Sequence, residues 1–172
     1  MRGGIADLSL RELAAAIGTS HRMLLYHFGS REGLLVAVAR AVEEAERARF
    51  LSWGMAPGDA RRIWARLSDP ALWPAERLFF ELYVQALFGR LGDDQFLDST
   101  VEGWIGPVAA AMIEAGNTEA TARTDARLGM AVVRGLLLDL LATGDRDGVT
   151  EAFDRFVGLY ESSPQLPGSE VG

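Results

Sequence analysis

Residues 10–28, LRELAAAIGTSHRMLLYHF, place two apolar-periodic stretches of about two turns each on either side of a Gly-Thr-Ser break. Isolated helices shorter than about 12 residues are marginal in water, so neither stretch forms unless the rest of the chain holds it. Leu10, Leu13, Ala14 and Ile17 follow i, i+3, i+4, i+7 spacing and line one face of a first helix. Ser9 and Glu12 have the spacing of a capping box at its start, and Gly18 stands where a helix ends in a left-handed residue. Ser20 is placed to cap the second helix, on which Leu24 and Phe28 mark a buried side and His21, Arg22 and Tyr26 point elsewhere. Gly29 ends it. Ser30 opens a third, long helix to about Phe50, with Glu32 in its first turn and an apolar line through Leu34, Val38, Val42 and Ala45. A short helix, a glycine turn and a second short helix make a helix-turn-helix. That shape lays a two-turn probe in the major groove of DNA while its neighbour braces it.

The charge of the whole chain argues the other way. Net charge is −7 over 172 residues, and phosphate binding is driven by cations releasing counterions. Residues 1–50, however, hold seven Arg against six acidic residues, and the remainder ten against eighteen, so the acidity sits beyond the motif. With no cysteine there is no disulfide framework, thiolate nucleophile or cysteine metal site. The start MRGGIAD has no apolar run of signal-peptide length, and the greasiest stretch, MAVVRGLLLDLLA, is interrupted by Arg134 and Asp139. The chain reads as cytoplasmic and without a membrane span.

From Leu8 to Leu35 the sequence LSLRELAAAIGTSHRMLLYHFGSREGLL resembles the DNA-binding segment of TetR-family transcriptional regulators. The likeness lies in the Ser-Leu-Arg start, the Ala-rich helix, the Gly turn, the Ser-initiated helix ending in Tyr-His-Phe, and the Ser-Arg-Glu-Gly-Leu-Leu that follows. It implies an all-α protein in which this module is followed by a helical ligand-binding and dimerisation domain. It also implies a homodimer on a double-stranded DNA operator, a repressor released by a small-molecule inducer, and no cofactor. Carried over by position, Ser20, His21, Arg22 and Met23 are base-reading residues. Tyr26 and His27 hold the backbone at the end of the probe helix, Arg11 contacts DNA from the preceding helix, and Arg31 touches phosphate. Arg22 is the natural guanine reader, since its fork spans O6 and N7.

Two departures stand out. The family commonly has Tyr two residues before the His, where this chain has Leu25, which leaves open whether Leu25 or Tyr26 faces DNA. The family also has a further helix ahead of the motif, and here only MRGGIAD precedes Leu8. The module is therefore expected to be truncated, with part of the apolar face of Leu10, Leu13 and Leu24 exposed.

The remainder reads as helix: 58–69, 73–90 with Pro74 in its first turn, 93–116 bent at Gly106–Pro107, 118–145 and 148–163, with no period-two stretch long enough for a strand. The expected organisation is a module over 1–50, a regulatory and dimerisation domain over 51–163, and a flexible tail over 164–172, with a seam near SWGMAPGD. Leu128, Val132, Leu136 and Leu140, with Phe153, Phe156, Val157 and Tyr160, match the family's dimer interface; their alternative is packing within one subunit. The resemblance puts an inducer pocket among the central aromatics, with Trp64, Phe80, Tyr83, Gln85 and Trp104 as candidate lining, although aromatic stripes at helical spacing also serve as core.

An enzyme finds little support. The two histidines lie six apart, the wrong spacing for a metal pair on a helix, and no Gly-rich phosphate loop is present. The acidic pairs Glu43/Glu44 and Asp93/Asp94 are adjacent residues, which do not share a helix face. The other reading is a helical dimerisation protein that lost DNA binding with its first helix.

Overall fold

The computed structural model describes residues 9–53, 59–90 and 94–162; of the side chains of Ala39, Asp94 and Gln95 nothing is said. The expected tail over 164–172, the middle of the seam at 54–58, Asp93 and the stretch before Ser9 lie outside the described residues. Those described form helices α1 (Leu10–Ala16), α2 (His21–Phe28), α3 (Arg31–Ser52), α4 (Ala60–Leu67), α5 (Trp73–Leu87), α6 (Asp94–Glu114), α7 (Glu119–Thr143) and α8 (Arg146–Ser162). A 3-10 turn at Pro70–Leu72, not foreseen in the sequence, is capped by Asp69, whose carboxylate accepts from the Ala71 N–H at 2.9 Å. No strand occurs among the described residues, and the fold is all-α. The helix α6 continues through Gly106 and Pro107, although Pro107 supplies no N–H to the turn before it.

The chain forms two compact units. The first takes residues up to Arg49 together with Pro74–Glu102; the second takes Phe50–Trp73 and the chain from Gly103. Residues 74–102 join the first unit because one face of α3 needs them. Leu35 is buried with Leu82 and Ala86 of α5 and Phe96 of α6, and Leu78 and Leu97 pack around that cluster. The next residue back, Leu34, is buried with Ala14 and Leu24 instead, flanked by Leu10, Leu13 and Val38.

α3 does not follow the expected apolar line to its end. Leu34 is buried and Val38 and Val42 are half-buried, but Ala45 is exposed, and Glu43, Glu46 and Phe50 are the buried residues of the later turns. Glu43 is held there by two partners. The Thr100 hydroxyl donates to its Oε2 at 2.8 Å, and Arg47 donates to its Oε1 at 3.5 Å. Glu44, one residue on, is exposed, as adjacent residues on a helix must diverge.

In the second unit α8 packs against α4 and α7. The Trp64 ring lies 4.8 Å from that of Phe153 in a stacked pair, and its indole N–H donates to the Thr150 hydroxyl at 3.1 Å. Arg146 donates to the Ala65 carbonyl at 3.1 Å, and Trp73 to the Ser68 carbonyl at 3.3 Å, so the polar groups at the end of α4 are satisfied from several directions. α7 contributes Ala122, Ala126, Leu137, Leu140 and Leu141 to the interior, and α8 contributes Val149, Phe153 and Val157. On the outside, Arg61 of α4 bridges Asp154 at 3.1 Å and Glu161 at 3.2 Å. Those groups are about half exposed, and such pairs contribute little.

Trp64 is therefore the single side chain on which this unit most depends. Trp64→Ala is expected to lower the stability of the chain by about 3–5 kcal/mol, measured as a shift in the urea midpoint. A loss under about 1 kcal/mol, the scale of an ordinary surface substitution, would contradict that role.

Candidate nucleic-acid interface

Each of the two short helices starts under a side-chain cap and ends in a turn through a glycine. At the start of α1 the Glu12 N–H donates to the Ser9 hydroxyl at 3.3 Å while the Ser9 N–H donates to the Glu12 carboxylate at 2.7 Å, a complete capping box. The hydrogen bond from the Ser9 side chain, followed by that from its backbone, holds the Glu12 carboxyl below the usual carboxylate range. α2 starts under Ser20, whose hydroxyl accepts from the Met23 N–H at 3.2 Å. Between them the chain turns through Gly18, and after α2 through Gly29, both with φ near +70°, where a side chain would be strained. Ser30 then caps α3, accepting from the Gly33 N–H at 3.0 Å.

Gly33 answers to a different demand. Its backbone is ordinary helix, but a Cβ there would fall 2.2 Å from the Phe28 carbonyl oxygen. The last carbonyl of α2 thus lies almost on the first turn of α3, an approach that only a glycine permits.

Leu24 is the anchor of α2. It is 4% exposed, against Ala14 of α1 and Leu34 of α3, and burying a leucine contributes about 1.5–3 kcal/mol. Each residue advances about 100° around a helix, so fixing Leu24 inward turns Arg22 and Tyr26 to the opposite side and leaves Met23 and His27 on one flank. All four are exposed, Tyr26 at 80%. His21, beside the inward side, is half-buried, and Ser20 is exposed and engaged as the cap. Of Leu25 and Tyr26, Tyr26 is the more exposed, at 80% against 38%. The Tyr26 and His27 rings meet edge to face at 5.2 Å. Arg11 is exposed on α1, and Arg31 is half-buried in the first turn of α3.

Two expectations for the apolar side need correction. Ile17 is 66% exposed, because α1 ends at Ala16 and Ile17, as its C-cap, leaves the helical phase that would have carried it inward. Phe28 is 37% exposed, only partly covered as the last residue of α2 before the chain turns through Gly29. Of the face expected to be laid open, Leu10 and Leu13 are half-buried and Leu24 is buried. Gly33 and Leu35 are the positions that sequence reasoning passed over. The first has no periodicity to betray it; the second does, since Leu34 and Leu35 are consecutive apolar residues on one helix and so must face different partners.

The expected dimer surface divides. Leu140, Phe153 and Val157 are buried within the chain, Phe153 stacked on Trp64. Val132, Leu136 and Phe156 are half-buried, and Leu128 and Tyr160 are exposed. The Tyr160 hydroxyl donates to Asp125 at 2.8 Å, tying α8 to α7; burial, then that bond, pushes its pKa up to about 12. Leu138 of α7 and Leu159 of α8 are further exposed apolar residues of these two helices.

The five residues suggested for a ligand pocket do not gather in one unit. Trp64 and Trp104 belong to the second, where Trp64 is stacked on Phe153 and Trp104 meets Phe50 edge to face at 5.2 Å. Phe80, Tyr83 and Gln85 belong to the first, on α5, with Phe80 buried against Phe79 at 5.3 Å and Gln85 half-buried. Among the described residues no group of His, Asp and Glu is arranged to hold a metal ion, and no helix is long and apolar enough to cross a membrane.

Gly33→Ala is expected to lower stability by about 1–3 kcal/mol, since the obstruction is backbone and one of two helices must shift. Amide chemical shifts of Ser20–Ser30 should move more than those of α8. An alanine variant as stable as the parent would mean that the two helices sit further apart than described.

Comparison with known proteins agrees with this geometry. Residues 1–38 match the family model for bacterial regulatory proteins of the tetR family. The fold is similar to a crystal structure from Rhodococcus sp. assigned to the TetR-family transcriptional regulators, with TM-score 0.69 and 23% sequence identity over 91% of this chain and 88% of that one. The search of curated proteins gave no match. The chain is thus similar to the tetR family in sequence over residues 1–38, and similar in fold to the Rhodococcus protein.

Proposed function

We propose that the chain is a transcriptional regulator that reads operator DNA with α2. The observation that carries this reading is the exposed face of α2, where Arg22, Met23, Tyr26 and His27 meet solvent while Leu24 locks the inward side. Such a face offers a guanidinium for the O6 and N7 of guanine, a thioether for a thymine methyl, and a phenol and an imidazole for the backbone. Arg11 and Arg31 flank it as phosphate contacts, with Ser20 and His21 at the helix start. A helix-turn-helix of this kind acts as a two-fold pair on half-sites about one helical turn, or roughly 34–36 Å, apart. The homodimer this requires would form through the exposed parts of α7 and α8 around Leu128 and Tyr160, with the half-buried Val132, Leu136 and Phe156 behind them.

In this reading the protein is a cytoplasmic repressor, not an enzyme, released from its operator by a small apolar inducer taken up in the helical part beyond α3. The family resemblance supports that sequence of events, and no side chain of the chain is yet assigned to it.

The test is a mobility shift with operator fragments selected from random DNA. The parent should retain a palindromic site with a steep salt dependence, about 0.9 in log–log slope per phosphate neutralised. Arg22→Ala should lose about 1–3 kcal/mol of discrimination at one guanine per half-site while keeping most of the salt slope. Equal sequence preference in both proteins would remove Arg22 from base reading. No retention of any duplex, with a dimer still present by sedimentation, would favour the dimerisation protein instead.

A further inference from the structure

Three carboxylates are buried among the described residues of the first unit, and its arginines do not serve them equally. Glu43 and Glu46 lie one turn apart on α3, and Glu76 lies in the first turn of α5. Glu43 accepts from Thr100 and Arg47, so each of its oxygens has a donor. Glu46 is paired with Arg49. Glu76, 6% exposed, makes no hydrogen bond or ion pair among the described residues. It is the odd carboxylate in the set.

The α3 helix carries Arg49 with Glu46, and Arg47 with Glu43; α5 itself carries Arg77, exposed, and Glu81, half-buried; α6 carries Asp98 and Glu102, both exposed. Of these, Arg49 is the charge that acts on Glu76, and its guanidinium is already engaged by Glu46. An ionised carboxylate in that position has lost most of its water without gaining a donor, and the neutral form is favoured. No side-chain polar atom among the described residues is fully buried without a partner, so the Glu76 oxygens keep a narrow edge at the surface. Protons can therefore reach it without unfolding.

We propose that Glu76 is a proton-uptake site through which the first unit responds to acidification. The reaction is the addition of one proton from solvent to one carboxylate oxygen, with no other group changing charge. Because α1 and α2 are packed on α3 in this same unit, the state of Glu76 bears on the scaffold that holds them. The inference stands whether or not α2 meets DNA, since it is read in the protein alone.

Burial, reduced in part by Arg49, raises the Glu76 pKa from 4.5 to about 7. The folded state then binds the proton more tightly than the unfolded chain. Stability is fully present below about pH 4.5, falls as pH rises, and levels off above about pH 7. Urea unfolding of the full chain should accordingly show a loss of about tenfold in folding equilibrium constant between pH 6 and pH 8 from this group. Glu76→Gln, which mimics the protonated acid, should lack that loss and be the more stable protein at pH 8. The parent and the variant share His21 and His27, so their difference isolates the carboxyl. The same pH slope in both would overturn the proposal. A carbon-detected NMR titration of the Glu76 carboxyl in the parent is independent of the variant's folding: a midpoint near neutrality supports the site, and one in the ordinary carboxylate range overturns it.

Discussion

The packing of the first unit turns on two neighbouring leucines. Leu34 and Leu35 follow one another on α3 and so point about 100° apart. Leu34 enters the cluster of Ala14 and Leu24, and Leu35 enters that of Leu82, Ala86 and Phe96. Neither α1 nor α2 could persist at seven or eight residues without such a partner. The orientation of α2 is inherited from Leu24 against Leu34, and α3 is itself held by α5 and α6 through Leu35. The exposed face of the probe helix is the far end of this chain of contacts.

How much of this was legible depends on what kind of force fixes each feature. The caps and breaks of α1 and α2 were readable to the residue, because Ser9, Glu12, Ser20, Gly18 and Gly29 act locally on backbone groups a few positions away. The direction of α2 was readable as well, once Leu24 was placed inward. What failed lies at ends and at distance. Ile17 and Phe28 fit an ideal helical phase, but the helix stops before its phase reaches one and the chain turns away after the other.

The later turns of α3 show the limit of apolar patterning more sharply. Apolar-inside reasoning chose Val42 and Ala45, and would turn Glu43 and Glu46 to solvent. The continuation that the structure follows runs from Leu35 through Val42 and Glu46 to Phe50, and the sequence contains it, but accepting it means burying carboxylates. Their partners, Thr100 on α6 and the arginines one turn along α3, are invisible to a local reading. The same holds beyond α3. Leu140, Phe153 and Val157 have the periodicity of a surface stripe and of a core stripe alike, and only the stacking of Trp64 on Phe153 decides between them.

Electrostatics must also be judged locally. A net charge of −7 disfavours non-specific attachment to nucleic acid. Exposed charges are screened beyond about 8 Å at physiological salt, however, so what a phosphate meets is the charge within one Debye length of the contact. Between Ser9 and Arg31 there are three arginines and one acidic residue, Glu12. That carboxylate is turned back onto the Ser9 N–H, where it caps α1. The one negative charge of the segment thus serves its internal structure, and Arg11 and Arg22 are its exposed arginines. On the proposed reading, an acidic protein with such a face selects a site more than it coats DNA, because weak attraction at long range leaves discrimination to the short-range contacts of α2.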